Sequence, residues 1–373
     1  MRIISMFYNS KIYTVESVTS GHPDKVCDQI SDAVLDECLR QDPKSRVAIE
    51  TFGSHGLLVV GGELTTKVDF DTESIARKVY RDIGYSDELR VISSIVRQSQ
   101  DIAQGVDTGG AGDQGIMYGY ATDETPEFLP SAVVLVHRLA SGLEELRRRD
   151  PSASSGQFSA NSQKTDFSWI KPDGKTQITV ENGKIKSVLV STQHAEEAEQ
   201  NFIRDQLTIH LIVPIIGNDG IEILVNPTGK FVQGGFAADT GLTGRKIMVD
   251  TYCGLVPHGG GAFSGKDPTK VDRSAAYMAR FAAKNIVANG FAKKCLVSVA
   301  YAIGRAEPLM VSAIDENGDE NGRDLTVIIH KNFDFRPLAI IERLGLRQPI
   351  YLETAAYGHF GKPNLPWEAL VKL

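Results

Sequence analysis

The chain has 373 residues, with 40 Lys and Arg against 47 Asp and Glu, and therefore a formal net charge of −7. This length allows two or three domains, and the acidic balance argues against a protein that binds nucleic acid by bulk attraction to phosphate. No apolar stretch approaches the roughly 18 residues of a membrane helix, the start does not resemble a signal peptide, and the four cysteines show neither CxxC pairing nor neighbouring histidines. We therefore expect a cytoplasmic protein without disulfides or a zinc site, and with neither a membrane nor a nucleic-acid partner.

The first predicted helix begins at Pro23, because proline suits the first helical position and Asp24 suits the positive first turn. Apolar residues recur at four-residue spacing as far as Cys38, which predicts one buried face. The acidic residues that this spacing places on another face are Asp28, Asp32 and Asp36. Alternating apolar residues predict a hairpin over 47–59, and a second helix is predicted over 71–84.

The middle of the chain opens with a polar, glycine-rich segment, 99–115, which predicts a functional or mobile loop. A short strand is predicted over 116–121 and a helix over 130–149. The next segment, 151–168, is rich in Ser, Gln and Asn, and we expect it to be an exposed surface loop.

The second half combines a hairpin with two helices. Asn182-Gly183 between two alternating runs predicts a hairpin over 177–190 with a type I′ turn. A helix is predicted over 196–209, apolar strand material from Leu211, and a long helix over 267–290 that ends at a glycine. Strands that alternate with helices and hairpins indicate a mixed α/β or α+β protein.

Two stretches of the sequence resemble each other. Ser20-Gly-His-Pro-Asp-Lys-Val26 is similar to Ser264-Gly-Lys-Asp-Pro-Thr-Lys-Val271, and each is predicted to open a long amphipathic helix. Two copies of one supersecondary unit would explain the similarity, and a chance likeness of two helix starts is the alternative.

Two glycine motifs match nucleotide-binding patterns only in part. Gly110-Ala-Gly-Asp-Gln-Gly115 satisfies G-x-G-x-x-G, but a loop precedes it and a strand follows, so the dinucleotide-binding context is missing. Gly260–Lys266 satisfies most of the P-loop pattern, but Asp267 occupies the position where Ser or Thr would ligate Mg²⁺. Exposed backbone N–H groups beside a lysine and a helix start still predict an anion site.

Basic residues cluster beside these glycine turns. They are Lys175, Arg245, Lys246, Lys266 and Lys270. On an acidic chain this pattern favours a polyphosphate pocket, although any one of them alone is more often a solvated charge. Asp24 and Asp272 lie at the two similar helix starts and suit Mg²⁺, which takes one or two protein carboxylates plus substrate phosphates; the alternative is that they only oppose the helix dipole.

Several motifs together resemble the S-adenosylmethionine synthetase (methionine adenosyltransferase) family, in its bacterial form. The two signatures are Gly110-Ala-Gly-Asp-Gln-Gly-Ile-Met-Tyr-Gly-Tyr-Ala121 and the segment 259–276, which begins Gly-Gly-Gly-Ala-Phe-Ser-Gly-Lys-Asp-Pro. Supporting matches are Glu16–Lys25, Gly241–Lys246 and Glu353–Gly361. The resemblance extends over residues 13–367.

The resemblance implies an α+β fold of three structurally related α/β repeats around a pseudo-threefold axis, with domains at 11–108, 110–236 and 238–373. It implies a homodimer or homotetramer with active sites at the subunit interface. The implied reaction joins ATP and L-methionine into S-adenosylmethionine and then cleaves tripolyphosphate to pyrophosphate and phosphate. A thioether sulfur that attacks the ribose C5′ has no proton to lose, which agrees with the lack of a recognisable nucleophile–base pair.

The resemblance also implies roles for individual residues. The implied catalytic residues are His22, Lys175, Arg245, Lys246, Lys266 and Lys270. The implied ATP-binding residues are His22, Asp173, Gly174, Lys175, Lys230, Phe231, Asp239, Arg245, Lys246, Ala262 and Lys266. The implied methionine-binding residues are Glu63, Gln98, Asp239 and Lys270. Two Mg²⁺ would be held by Asp24 and Asp272, and K⁺ by Glu50; Asp113 would line the same site, and 98–108 would be a mobile gating loop.

The sequence departs from the family pattern in three places. The loop before Gly110 is shorter than expected, the stretch 151–168 is longer and receives no function, and Lys230 replaces a usual arginine, which keeps the charge but loses the bidentate fork. Two other functions remain open: a Mg²⁺-dependent kinase or ATPase that uses the near-P-loop, and a catalytically inactive binding protein.

Overall fold

The computed structural model describes residues 10–97, 109–149, 166–317 and 324–373. Within these ranges the strands are β1 Ile12–Val18, β2 Arg46–Ser54, β3 Leu57–Thr65, β4 Arg90–Val96, β5 Gly115–Thr122, β6 Ile170–Glu181, β7 Lys184–His194, β8 Glu222–Val225, β9 Gly241–Leu242, β10 Lys294–Tyr301 and β11 Met310–Asp315. The α-helices are α1 Pro23–Gln41, α2 Thr72–Ile83, α3 Ser131–Arg148, α4 Gln200–Leu207, α5 Val213–Ile216, α6 Ile247–Asp250, α7 Val271–Ala288, α8 Leu325–Asn332 and α9 Pro337–Arg343.

The strands form three sheets, each covered by long helices. The sheet orders are β1-β6-β7-β8, β4-β3-β2-β9 and β11-β10-β5. Pairing is antiparallel except between β3 and β4 and between β7 and β8, which are parallel. Helix α3 packs on β1 and β6, α1 packs on β2, and α7 packs on β5 and β10. This mixed architecture confirms the predicted α+β class.

Each sheet contains a strand from a distant part of the chain. Strand β1 pairs with β6, so that Thr14 lies opposite Thr179, although the two strands fall in different predicted domains. In the same way β5 pairs with β10, and β9 pairs with β2. The domain ranges remain a prediction from the sequence. The sheets show that each predicted domain contributes one strand to the sheet of another.

Most of the predicted elements are present with small shifts at their ends. Helix α1 starts at Pro23 as predicted, and α2 has the side chain of Asp71 accepting from the backbone N–H of Glu73. The predicted type I′ hairpin turn is confirmed, because Asn182 and Gly183 have φ values of 51° and 76°. Helix α7 begins at Val271, a few residues later than predicted.

The strand predicted from Leu211 is wrong. Residues Thr208–Ile212 form a π-helical turn that continues α4, and α5 follows directly. The physical reason is visible in the spacing, since Ile203, Leu207 and Leu211 lie four residues apart and are all buried in the core beside α3. Pro214 therefore lies at the start of a short helix and not in a strand.

Two hydrophobic cores hold the helices against the sheets. One lies under the sheet of β1 and β6–β8, and the other is shared by the remaining two sheets and helices α1 and α7. Among the described helices, none has the length and apolar character needed to cross a membrane.

Candidate active site

The first turn of α1 brings a buried carboxylate against two cations. The Asp24 side chain is fully buried, with Oδ2 2.6 Å from Nζ of Lys246 and Oδ1 3.2 Å from Nε of Arg245. Oδ1 also accepts a hydrogen bond of 3.0 Å from the backbone N–H of Leu242. The structure therefore joins three of the predicted site residues, although they are about 220 positions apart in sequence.

Glycine allows the chain to bring these cations so close. A Cβ on Gly241 would lie 2.2 Å from the carbonyl oxygen of Pro23, so only glycine lets β9 lie on the start of α1. Gly244, with φ of +79°, turns the chain just before Arg245, and a Cβ there would lie 2.6 Å from Cβ of Ala262. This close approach brings the turn before Arg245 against the second signature, 259–276, which contains Ala262.

His22 caps α1 as a neutral imidazole. Its Nδ1 accepts a hydrogen bond of 3.2 Å from the backbone N–H of Asp24, which assigns the ring proton to Nε2. Burial, together with the nearby positive charges of Lys246 and Lys175, lowers the pKa of His22 to about 2. At neutral pH the ring can therefore donate a hydrogen bond from Nε2, and it cannot carry a positive charge.

Strand β6 brings Asp173, Gly174 and Lys175 near the start of α1. Lys175 is exposed and lies opposite Val18 in the β1–β6 pair, directly before the turn that leads to His22. The carbonyl oxygen of Gly174 accepts from the N–H of Thr19 at 2.9 Å. Burial raises the pKa of Asp173 to about 6, and its Oδ2 accepts from the N–H of Gly235 at 2.9 Å.

A second pair of cations lies at the start of α7. Nζ of Lys266 is 2.6 Å from Oδ2 of Asp272, and Nζ of Lys270 is 2.5 Å from Oδ2 of Asp267. Burial alone would raise the pKa of Asp267, but the charge and hydrogen bond of Lys270 hold this pKa below its usual range. Asp267 also accepts from the N–H of Val47 at 2.6 Å, which fixes the turn against β2.

The two predicted signatures pack against each other at this second start. A Cβ on Gly259 would lie 1.5 Å from the carbonyl oxygen of Ile116, and one on Gly261 would lie 2.3 Å from Oδ1 of Asp272. The missing side chains thus let β5, the glycine segment and Asp272 approach closely. Gly259 and Gly261, the second of which belongs to the incomplete P-loop pattern, therefore have a role in packing.

The carboxylates fit Mg²⁺ by their chemistry. Oδ1 of Asp272 faces space that a Cβ at Gly261 would fill, while only Oδ2 is engaged by Lys266. Within the described ranges no group of three or more His, Cys, Asp or Glu side chains could hold a metal by itself. One carboxylate at each helix start suits an ion that completes its coordination with phosphate oxygens and water.

The other predicted residues divide between the two helix starts. Glu63 lies opposite Ala48, which in turn forms a bridge with Lys266, so Glu63 lies on the α7 side. Asp239 lies on the other side, where its charge helps to raise the pKa of Asp173. Gln98 lies outside the described residues, as do all of the predicted gating loop, 98–108, and most of 151–168.

Four further predicted residues have no contact to either helix start that the described structure records. Lys230 is exposed, and the backbone N–H of Phe231 donates to Nε2 of His194 at 3.0 Å. Glu50 is exposed on β2, opposite Gly61 in the β2–β3 pair. Asp113 is exposed beside β5, and its Oδ1 accepts from the N–H of Gln114.

Sequence reasoning missed two supports of the site. Tyr85 Oη donates to the carbonyl oxygen of Gly21 at 2.6 Å and fixes the turn before His22; a tyrosine after α2 gives no sequence signal of this contact. The other support is the burial of Asp28, Asp32 and Asp36 on α1. Their four-residue spacing predicts that they share one face, but it does not predict that this face is buried.

Comparison with known proteins finds matches along nearly the whole chain. Family models of S-adenosylmethionine synthetase match in succession: the N-terminal domain over residues 10–102, the central domain over 108–231 and the C-terminal domain over 233–369. A Staphylococcus epidermidis protein named S-adenosylmethionine synthase is 46% identical, covering 99% of this chain and 98% of that protein. Proteins of the same name from Pseudothermotoga lettingae and Thermus thermophilus are 50% and 48% identical, covering 96% of this chain in both cases and 96% and 95% of those proteins. The chain therefore belongs to the S-adenosylmethionine synthetase family.

Proposed function

We infer that the chain is a methionine adenosyltransferase, which forms S-adenosylmethionine from ATP and L-methionine. The observation that carries this function is the pairing of lysine and arginine with carboxylates at two helix starts, Asp24 with Arg245 and Lys246, and Asp272 with Lys266. These pairs occur in a chain whose family and named relatives are S-adenosylmethionine synthetases.

The chemistry needs charge stabilisation more than proton transfer. The methionine sulfur forms a bond to ribose C5′ while the C5′–O bond to tripolyphosphate breaks, so negative charge grows on the leaving group. Lys175, Arg245, Lys246 and Lys266 would hold that charge, because preorganised cations act where charge develops. With a pKa of about 2, His22 is too weak a base to take a proton at neutral pH and would instead donate a hydrogen bond to a phosphate oxygen.

Asp24 and Asp272 would hold two Mg²⁺, and Glu50 would hold K⁺. When bound, Mg²⁺ neutralises charge on the phosphate chain and orients it. Lys246 and Lys266 pair with these carboxylates in the structure, and in the proposed complex they would bind phosphate oxygens instead. Each helix start would then offer one carboxylate and at least one cation to the same polyanion.

The remaining predicted residues would hold the two substrates. Lys270 and the carboxylates of Glu63 and Asp239 suit the charged groups of an amino acid, with Gln98 beside them. The further ATP contacts would come from Asp173, Gly174, Lys230, Phe231 and Ala262, and Asp113 would line the same pocket. The segment 98–108 would gate it.

The division of these residues between two helix starts supports a site completed at a subunit interface, in a homodimer or homotetramer. Three sheets, each with long helices on it, support three related α/β repeats around a pseudo-threefold axis. The domain ranges 11–108, 110–236 and 238–373 belong to the same proposal. No nucleic-acid or membrane partner is needed for it, and a cytoplasmic location stays a prediction of the sequence.

A product assay tests the function. With ATP, methionine, Mg²⁺ and K⁺, we expect S-adenosylmethionine, pyrophosphate and phosphate in equal amounts, because tripolyphosphate held at both ends should be hydrolysed before release. Stoichiometric ADP in that mixture would overturn the proposal and favour a kinase or ATPase. A chain that binds ATP but forms no product would be a binding protein.

A further inference from the structure

One face of α1 carries a row of buried carboxylates. The residues Asp24, Asp28, Asp32 and Asp36 follow at four-residue spacing, and each is at most 6% exposed. Beyond Asp24, each carboxylate of the row accepts hydrogen bonds from the backbone of a distant loop. Oδ1 of Asp28 accepts from Gly244, Oδ1 of Asp32 from Gly265, and Asp36 accepts from Tyr351 and Leu352, all at 2.8–3.2 Å.

Asp28 holds the loop that carries the first pair of cations. Gly244, whose N–H it accepts at 2.8 Å, directly precedes Arg245 and Lys246 in sequence. Its φ of +79° and its contact with Ala262 leave this turn little freedom once the hydrogen bond is made.

The far end of the same loop is fixed to α1 as well. Nζ of Lys25 lies 2.9 Å from Oδ2 of Asp28 and 2.5 Å from Oδ1 of Asp250, which ends α6. All three side chains are almost completely buried. The segment from Gly244 to Asp250 is therefore anchored to α1 at both ends, with Arg245 and Lys246 between the two anchors.

Stability alone gives a weak reason for this arrangement. Three charges buried together often stabilise a fold no better than apolar side chains of the same volume would. A hydrogen bond from a fixed carboxylate to a backbone N–H does, however, define where a loop lies. Cations stabilise a transition state best when they are already in place, because no reorganisation is then needed during the reaction.

We propose that Asp28 is a positioning residue, which sets Arg245 and Lys246 against the substrate phosphates by holding the N–H of Gly244. This rests on the proposed function, in which those two cations bind the leaving tripolyphosphate. Asp32 has the same relation to Gly265, which directly precedes Lys266. Asp36 contacts a loop that carries none of the proposed cations, and it serves as the matched control.

The test compares variants of Asp28 and Asp36. A displacement of about 1 Å in a reacting constellation can cost about 100-fold in rate, so we expect Asp28→Ala to lower kcat by roughly 10–100-fold, with the KM for ATP changed less than about threefold. Asp28→Asn keeps an acceptor of the same length and should retain kcat within about fivefold of the unchanged protein. Asp36→Ala should leave kcat within about twofold, and circular dichroism checks the fold of each variant.

A longer side chain separates position from charge. Asp28→Glu keeps the charge beside Lys25 but moves the acceptor by one methylene group, so it should also lower kcat by about tenfold or more. Wild-type kcat in Asp28→Glu, or low kcat in a folded Asp28→Asn, would overturn the positioning role. This comparison decides the question even if Asp28→Ala does not fold.

A variant that lacks both cations tests whether Asp28 acts through them. In an Arg245→Ala, Lys246→Ala background, Asp28→Ala should reduce kcat by less than about threefold more, because the two groups that it positions are already absent. Fully multiplicative losses would contradict the proposal. If the proposed function itself is wrong, the result will be different from these. The unchanged protein would form no S-adenosylmethionine, or Lys246→Ala would react at the normal rate.

Discussion

Replacing Lys266 by methionine tests the proposed leaving-group site most directly. Methionine keeps an unbranched chain of similar length and removes only the charge. Lys266 is a quarter exposed, and its Nζ contacts Oδ2 of Asp272 at 2.6 Å, so the ammonium is fixed near the second helix start. Because the charge of tripolyphosphate grows as the C5′–O bond breaks, the loss should fall on kcat more than on KM.

The expected loss of rate can be estimated from the interaction between two charges at a partly exposed site such as that of Lys266. At an effective dielectric constant of about 20, two charges about 4 Å apart interact by about 4 kcal/mol. Only the part that increases toward the transition state changes the rate, and loss of one such contact typically costs about 10²–10³-fold in kcat. We expect Lys266→Met to fall in this range.

Steady-state kinetics with separate measurement of S-adenosylmethionine and phosphate gives kcat and both KM values. Lys294→Met is the matched control, since Lys294 is also a partly exposed lysine paired with a carboxylate, Glu124 at 3.6 Å. Such surface pairs contribute about 0–1 kcal/mol to stability, and the control should keep kcat within about twofold. Near-normal kcat in Lys266→Met would refute the role given to this lysine.

The remaining predictions concern metal dependence, stability and the serine-rich stretch. Asp24→Asn and Asp272→Asn should each raise the Mg²⁺ concentration that gives half-maximal rate, with unchanged circular dichroism; if neither moves that concentration, both are only dipole partners. Glu368→Gln leaves Arg280 without its buried partner at 2.9 Å, so chemical denaturation at pH 7 should show a loss of about 3–5 kcal/mol. Burial alone would raise the pKa of Glu368, but Arg280 holds it below its usual range, so this stability is present above the unfolded pKa of about 4.3 and is lost as pH falls through the lower folded value. An equal loss at pH 7 and pH 3 would contradict that linkage. Shortening 151–168 should leave the unfolding midpoint unchanged, because Ser, Gln and Asn offer little to bury, and a collapse of the midpoint would show otherwise.

Local patterns predicted most helices and hairpins correctly because their signals lie within a few residues. Proline at the start of α1 and Asn182-Gly183 are of this kind, since a fixed φ and a positive φ are properties of single residues. The error at Leu211 arose where a continuous apolar run fits either a strand or a buried helix. The spacing from Ile203 to Leu211 favoured the helix, and only packing beside α3 decides it.

Local sequence patterns predicted less of the candidate site than of the fold. The glycine turns and basic residues predicted an anion pocket, but the contact of Asp24 with Lys246 joins residues 222 positions apart, which no local pattern specifies. The acidic face of α1 shows the same limit. Spacing puts Asp28 and Asp32 on one side of the helix, yet their burial depends on loops that arrive from more than 200 residues away.

The exchange of strands between sheets has a consequence for synthesis on the ribosome. Thr14 in β1 lies opposite Thr179 in β6, and 165 residues separate them. At about 5–20 residues per second, β1 waits roughly 8–33 s before its partner has been made. During that time the nascent chain presents an unpaired strand edge, which other chains or chaperones can bind. The N-terminal family-model segment, residues 10–102, contains β1 but not its partner β6, so a piece that ends before residue 170 would lack the strand that covers this edge.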